Sequence, residues 1–195
     1  MLAGALRQRS VDVITTCEPG GTPLGRRLRE AFLETEETVA PRAELLLFAA
    51  DRAQHVEFLI KPALAAGRTV ISDRYADATF AYQGAGRGFP SAVVDDVIKL
   101  ATGGLKPDLT LFFDISVENA LNRMRSRKET GEQVNRMDVE TAEFYSLVRD
   151  AYLQVAELEK GRFRVIDANG PIEKIQTEVL GLVLPFVSSA ADKAA

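Results

Sequence analysis

The stretch VDVITTCEPGGTPLGRRLREAFLE, residues 11–34, holds the fold in miniature. Its first part, Val11 to Thr16, is a β-branched run that reads as a strand. Two glycines then turn the chain, and residues 21–34 return to a helical period. Three further runs share the composition of the first: Thr69 to Asp73, Leu109 to Asp114 and Phe163 to Asp167. Apart from Asp12 and Arg164 their interiors are almost unbroken apolar runs, which suggests strands buried on both faces of a parallel sheet covered by helices. Helical periods fill the intervals at about Gly21–Glu34, Pro41–Gly67, Ser91–Thr102, Val117–Lys128, Val139–Glu159 and Pro171–Val187. Strands alternating with helices predict an α/β three-layer sandwich with a parallel sheet.

Composition sets the limits around this core. The 195 residues fit one domain, with 46% apolar and 27% charged residues, so neither a disordered tail nor a fibrous repeat is expected. A net charge of -4 removes any global attraction to nucleic acid or anionic membrane, so neither is expected as a partner. One cysteine, Cys17, excludes an intramolecular disulfide, and one histidine, His55, leaves too few soft ligands for structural zinc. No apolar run approaches the roughly 18 residues of a membrane span, so a cytoplasmic protein is expected.

Open α/β sheets bind ligands beyond the carboxyl ends of their strands. Acidic residues gather at three of those ends here: Glu18, Asp73 and Asp114. Glu18-Pro19-Gly20-Gly21-Thr22 places a tight turn at a helix start, whose free N–H groups can face an anion; a simple turn is the plainer alternative. Asp73-Arg74-Tyr75 sets a carboxylate able to hold Mg2+ beside a guanidinium able to clamp a phosphate, or else is a surface ion pair. Phe48 and Arg52, four apart on one helix face, can cradle a nucleobase by stacking and hydrogen bonds, although Phe48 alone equally fits a core position. Arg123, Arg125, Arg127 and Lys128, followed by Arg136 after a loop, form a cationic cluster suited to polyphosphate or to a solvated face. The Gly84-x-Gly86-x-Gly88 run has the wrong spacing for a dinucleotide fingerprint.

Five blocks appear in an order that closely resembles bacterial thymidylate kinase, across nearly the whole chain: ITTCEPGGTPLGRRLRE, LLLFAADRAQHVEFLIKPAL, GRTVISDRYADATFAYQGAGRG, PDLTLFFDISVENALNRMRSR and NRMD. The resemblance implies a P-loop kinase-like fold over residues 1–195, with a lid at about 124–137. It implies transfer of the ATP γ-phosphoryl group to dTMP, with Mg2+, in a homodimer. Carried onto matching positions, Phe48 stacks on thymine, Arg52 bonds its carbonyl edge, and Thr79 and Gln83 line the base pocket. Tyr82 packs under the deoxyribose. Arg74 holds the dTMP phosphate, Glu18 flanks it, and Asp73 sits beside the metal. Arg125, Arg127 and Arg136 supply lid cations, and Arg123 and Arg127 face ATP.

One departure outweighs the others. No lysine follows a glycine anywhere in the sequence, so the Gly-x-x-x-x-Gly-Lys-Ser/Thr phosphate loop is absent. MLAGALRQRS resembles the tail of the family's first helix. With all later blocks in register, a shortened front end is the expectation, leaving a weakly active or inactive chain of low stability. In the strand order 2-3-1-4-5 that the family implies, the strands at Thr69 and Leu109 lose their shared neighbour. Cys17 replaces an arginine common before the glutamate, and Asp138 a glutamate. A dTMP-binding or scaffold protein without transfer activity, or a related deoxynucleoside kinase, are the competing readings.

Overall fold

The computed structural model describes residues 1–130 and 135–193. The chain begins with α1 (Leu2–Arg7), β1 (Val13–Cys17) and α2 (Pro23–Leu33), the strand–turn–helix unit expected from residues 11–34. Next comes α3 (Pro41–His55), which runs on through a π-helical turn at Val56–Ile60 into α4 (Lys61–Ala65). The widening precedes Pro62, which has no N–H to donate and whose ring crowds the turn before it. After β2 (Thr69–Asp73) and α5 (Ala76–Thr79), a second π-helical segment occupies Phe80–Gly86. Then follow α6 (Ser91–Thr102), β3 (Thr110–Asp114) and α7 (Val117–Glu129). A 3-10 turn at Arg136–Val139 leads to α8 (Ala142–Leu158), β4 (Phe163–Asp167) and α9 (Ile172–Lys193).

The helix expected from Val139 starts instead at Ala142. Thr141 caps it, its hydroxyl accepting from the Phe144 N–H at 3.2 Å, and the preceding turn is separately capped by Asn135. Residues 131–134 of the expected lid lie outside the described residues.

All pairing is parallel, in two separate two-stranded sheets: β1 with β2 and β3 with β4. Neither β2 nor β3 has a second strand neighbour among the described residues, as the implied order requires. The expectation of strands buried on both faces fails here for the same reason. Thr69 to Ser72 are only half-buried, and Phe113 is 48% exposed. Burial is deepest in the outer strands, where Val13 and Ile166 are 3% and 0% exposed.

Two things hold the half-sheets side by side. One is an apolar layer of Leu6, Val13, Ile166, Val179 and Val183, which also receives Ile71 of β2 and Leu111 of β3. Each such buried aliphatic side chain contributes about 1.5–3 kcal/mol. The other is polar. Arg162, just before β4, reaches Asp77 of α5 with both terminal nitrogens at 2.9 and 2.7 Å, and Thr110 Oγ1 of β3 donates to the same carboxylate at 2.9 Å. A second core cluster, built on Phe32, Leu33, Ala81, Phe144 and Val148, packs α2, α8 and the Phe80–Gly86 segment into the wall of the site. No described helix is long and apolar enough to cross a membrane.

Arg162→Ala leaves Asp77 without its main partner in a largely buried position, and should lower unfolding free energy by about 3 kcal/mol in urea titration. A loss under about 0.5 kcal/mol would show that the apolar layer alone joins the halves.

Candidate functional site

A cavity of about 640 Å3 opens at the carboxyl ends of the strands. Phe48, Arg52, Arg74 and Tyr82 all line it, so the four residues expected to seat a nucleotide converge. Glu18, Asp73, Thr79, Gln83, Arg123 and Arg127 are at its wall as well. Arg125 and Arg136 are not. Arg125 is exposed on α7, whereas Arg136 is turned into the protein.

One side of the cavity is built on one face of α3. Glu44, Leu45, Phe48, Asp51, Arg52 and His55 recur at helical spacing, and the four charged or titratable members among them are 0–2% exposed. Phe48 meets Phe32 edge-on at 4.9 Å and also borders the cavity, so it serves the core and the wall at once. Arg52 Nε donates to Glu18 Oε2 at 2.7 Å, Nη1 to Thr79 Oγ1 at 2.8 Å, and Nη2 to the Tyr75 carbonyl at 3.1 Å. Those bonds use three of the five guanidinium donors, which leaves two for a ligand. His55 Nδ1 lies 2.8 Å from Glu18 Oε1, and its Nε2 is 2.7 Å from Thr16 Oγ1. Tyr75 is held neutral, its hydroxyl pushed up to about 12 by burial and by Glu18.

The turn at residues 18–22 lies directly on that face. Gly20 N–H donates to Asp51 Oδ1 at 3.0 Å, and Gly25 N–H to the capping Thr22 hydroxyl at 3.0 Å. Two donors on which an anion-binding reading of the turn relied are therefore already engaged. A Cβ at Gly21 would stand 2.5 Å from His55 Nε2, and one at Gly25 2.3 Å from Asp51 Oδ1, so both positions require glycine for close approach. Burial, and then the nearby Glu18 charge, push the Asp51 carboxyl above its ordinary range.

The opposite side is cationic. Arg74 adopts a left-handed backbone at φ 69°, an uncommon conformation for a non-glycine residue that costs on the order of 1 kcal/mol or more and gathers at functional sites. Its guanidinium sits 4.7 Å from the centroid of the Tyr82 ring. Burial pushes its pKa down, but Tyr82, Tyr152 and Asp73 together raise it, and the group stays charged. Asp73 is exposed at the end of β2. Arg29 and Arg149, which the sequence reading did not single out, also line this cavity. Arg29 Nη1 donates to the Pro19 carbonyl at 3.2 Å, and Arg149 grips Asp114 with two bonds at 2.6 and 2.8 Å. Cys17 faces the same space, its thiol pushed up by burial.

The C-terminal anchor of the expected lid rests on Glu44. That carboxylate is 0% exposed and receives Gln83 Nε2 at 2.9 Å, Arg87 at 3.1 and 3.0 Å, and Arg136 Nη2 at 2.7 Å. Arg136 Nε also donates to the Phe32 carbonyl at 3.2 Å. Arg136, expected to be a lid cation, is thus bound elsewhere; the acidic residue inside the apolar run 43–49 was the only signal of it. Burial raises the Glu44 pKa, but the bonds from Arg87, Gln83 and Arg136 outweigh it and hold the carboxyl below its ordinary range. A second cavity of about 590 Å3 lies along α7 between Asn119, Asn122, Arg123, Ser126 and Arg127. Arg123 Nη2 is fixed there by the Ala168 carbonyl at 3.0 Å. No group of three or more His, Cys, Asp or Glu able to hold a metal occurs among the described residues.

A sequence profile described as "Thymidylate kinase" matches residues 1–179. The thymidylate kinase of Methylococcus capsulatus is 44% identical over 174 residues, covering 89% of this chain and 81% of that protein. That of Teredinibacter turnerae is 45% identical over 179 residues, covering 91% and 85%. Among solved structures, the thymidylate kinase from Ehrlichia chaffeensis superposes with a TM-score of 0.74 at 29% identity, covering 94% of this chain and 88% of that one.

Glu44 contributes stability above its unfolded-state pKa, about 4.3, and loses it as pH falls through its lowered native value. Glu44→Gln should therefore cost about 2–4 kcal/mol in urea titration at pH 7, with the gap to wild type closing below about pH 4. A gap that stays constant with pH would mean that the carboxylate charge contributes nothing.

Proposed function

The chain belongs to the thymidylate kinase family, and from that premise we propose that its larger cavity binds dTMP as acceptor of the ATP γ-phosphoryl group, giving dTDP. The observation that carries this reading is the convergence of Phe48, Arg52, Arg74 and Tyr82 on one cavity wall. Phe48 offers the base a flat apolar partner, while the two uncommitted donors of Arg52 meet a pyrimidine carbonyl. Thr79 and Gln83 close the base side, and Tyr82 supports the sugar. Arg74, fixed over the Tyr82 ring, points a permanent charge at the acceptor phosphate, with Glu18 and its turn alongside.

The donor side draws on Arg123 and Arg127, which line both cavities, so one helix borders both substrates. Arg127 is poised 3.6 Å from Asp138, a weak pair that phosphate oxygens can displace. Arg125, exposed on α7 and without an ion-pair partner among the described residues, is a further lid cation, and Arg136 contributes by anchoring the lid rather than by meeting phosphate. Asp73 suits Mg2+, which is commonly held by one or two carboxylates and the substrate phosphates. When bound, Mg2+ supplies neutralisation of the phosphate charge. Two copies of the chain, in the cytoplasm, are the form proposed for this activity.

A second reading has a specific observation in its favour: the sequence contains no Gly-x-x-x-x-Gly-Lys-Ser/Thr motif. Without those amides and that lysine the β and γ phosphates lose a preorganised cradle, and one such donor alone is worth about 3 kcal/mol in the transition state. The 195-residue chain then binds dTMP without efficient transfer.

Calorimetry with dTMP, and chromatography of dTDP formed with ATP and Mg2+, test both readings. Wild type should bind dTMP and form dTDP slowly; binding without product selects the second reading, and no binding at millimolar dTMP sinks both. Phe48→Ala should weaken dTMP binding about tenfold or more, as expected for a lost stacking partner. Arg74→Ala should weaken it comparably and remove residual turnover, and wild-type behaviour in that variant would end its assigned role.

A further inference from the structure

Asp51 has no part in the reading above, yet it is fully buried and placed immediately before Arg52. Its single hydrogen bond is to the Gly20 amide, at 3.0 Å; Oδ2 has no partner among the described residues. A buried carboxylate held by one bond is costly, so what that bond fixes is informative. It fixes the middle of the turn whose Glu18 and Pro19 line the cavity. Its neighbour Glu18 is secured separately, by Arg52, by His55, and by its own amide to the Asp73 carbonyl at 2.9 Å. Gly20 has no such independent anchor: among the described residues its amide bonds only to Asp51.

We propose that Asp51 is a positioning residue that sets the height of the Pro19–Gly20 turn over the acceptor phosphate, leaving the Glu18–Arg52 base grip to its own supports. This rests on the reading of the cavity as a dTMP site. The geometry makes the two functions separable. Pro19 O carries Arg29 Nη1, and Gly20 lies 3.4 Å, measured from an added Cβ, from Arg29 Cδ, so a shift of the turn moves Arg29 with it. Cys17 and Arg29 face the cavity on this side, and Arg74 borders the same space. Phe48, Thr79 and the Arg52 guanidinium are held by contacts that do not pass through Gly20.

The test compares two ligands, dTMP and thymidine, which differ only in the phosphate. Asp51→Ala should weaken dTMP binding about tenfold while thymidine affinity stays within twofold. Asp51→Asn, which keeps an oxygen acceptor for the Gly20 amide, should recover most of the dTMP affinity. Asp51→Leu, which keeps the side-chain volume but offers the Gly20 amide no acceptor, should reproduce the selective loss even if Asp51→Ala does not fold. Equal weakening of both ligands, or unchanged dTMP affinity in the folded variants, overturns the proposal. Failure of wild type to bind either ligand overturns the reading of the cavity, and this inference with it.

Discussion

The ion pair between Glu18 and Arg52, each side chain 2% exposed, is the constraint on which the site is built. Removing either partner from such a pair strands a buried charge and costs about 3–5 kcal/mol. The pair joins the end of β1 to the last turn of α3, 34 residues away in sequence, and so sets the distance between the two elements. With that distance fixed, the polar face of α3 must lie directly beneath the turn after β1. Glycine at positions 21 and 25 then becomes a matter of clearance, since side chains there would run into His55 and Asp51.

The same logic, with the opposite chemistry, acts at the other end of α3. Glu44 gathers Arg87, Gln83 and Arg136, so the Arg136–Val139 turn is fastened to the helix that carries Phe48 and Arg52. One helix thus holds both a carboxylate that accepts three partners and an arginine that donates to three. This double fastening explains why the walls of the cavity stand where they do.

Much of this was legible in the sequence. Unbroken β-branched runs gave four strands, and their alternation with helical periods gave the parallel arrangement. Motif order gave the pocket residues, because Phe48, Arg52, Arg74 and Tyr82 each carry a distinctive side chain at a strand end or on one helix face. Long-range partnerships were not legible. Arg136 reads as a lid cation in sequence, and its long reach to Glu44 and to the Phe32 carbonyl shows it engaged instead. Asp51 could be any helix residue until Gly20 is found above it. Burial of the strands was misjudged since, among the described residues, β2 and β3 each lack a second paired neighbour, which composition alone does not reveal.

The clasp of Arg162 and Thr110 on Asp77 has a mechanical side. Asp77 stands two residues before Thr79, in the short helix whose hydroxyl receives Arg52. Any sliding of one strand pair past the other would pull on that helix first and reach the guanidinium through the Thr79 hydroxyl and the Tyr75 carbonyl. The Arg52 end of the cavity is in this sense a strain gauge for the sheet, reading relative displacement of its halves as a change in the aim of one arginine.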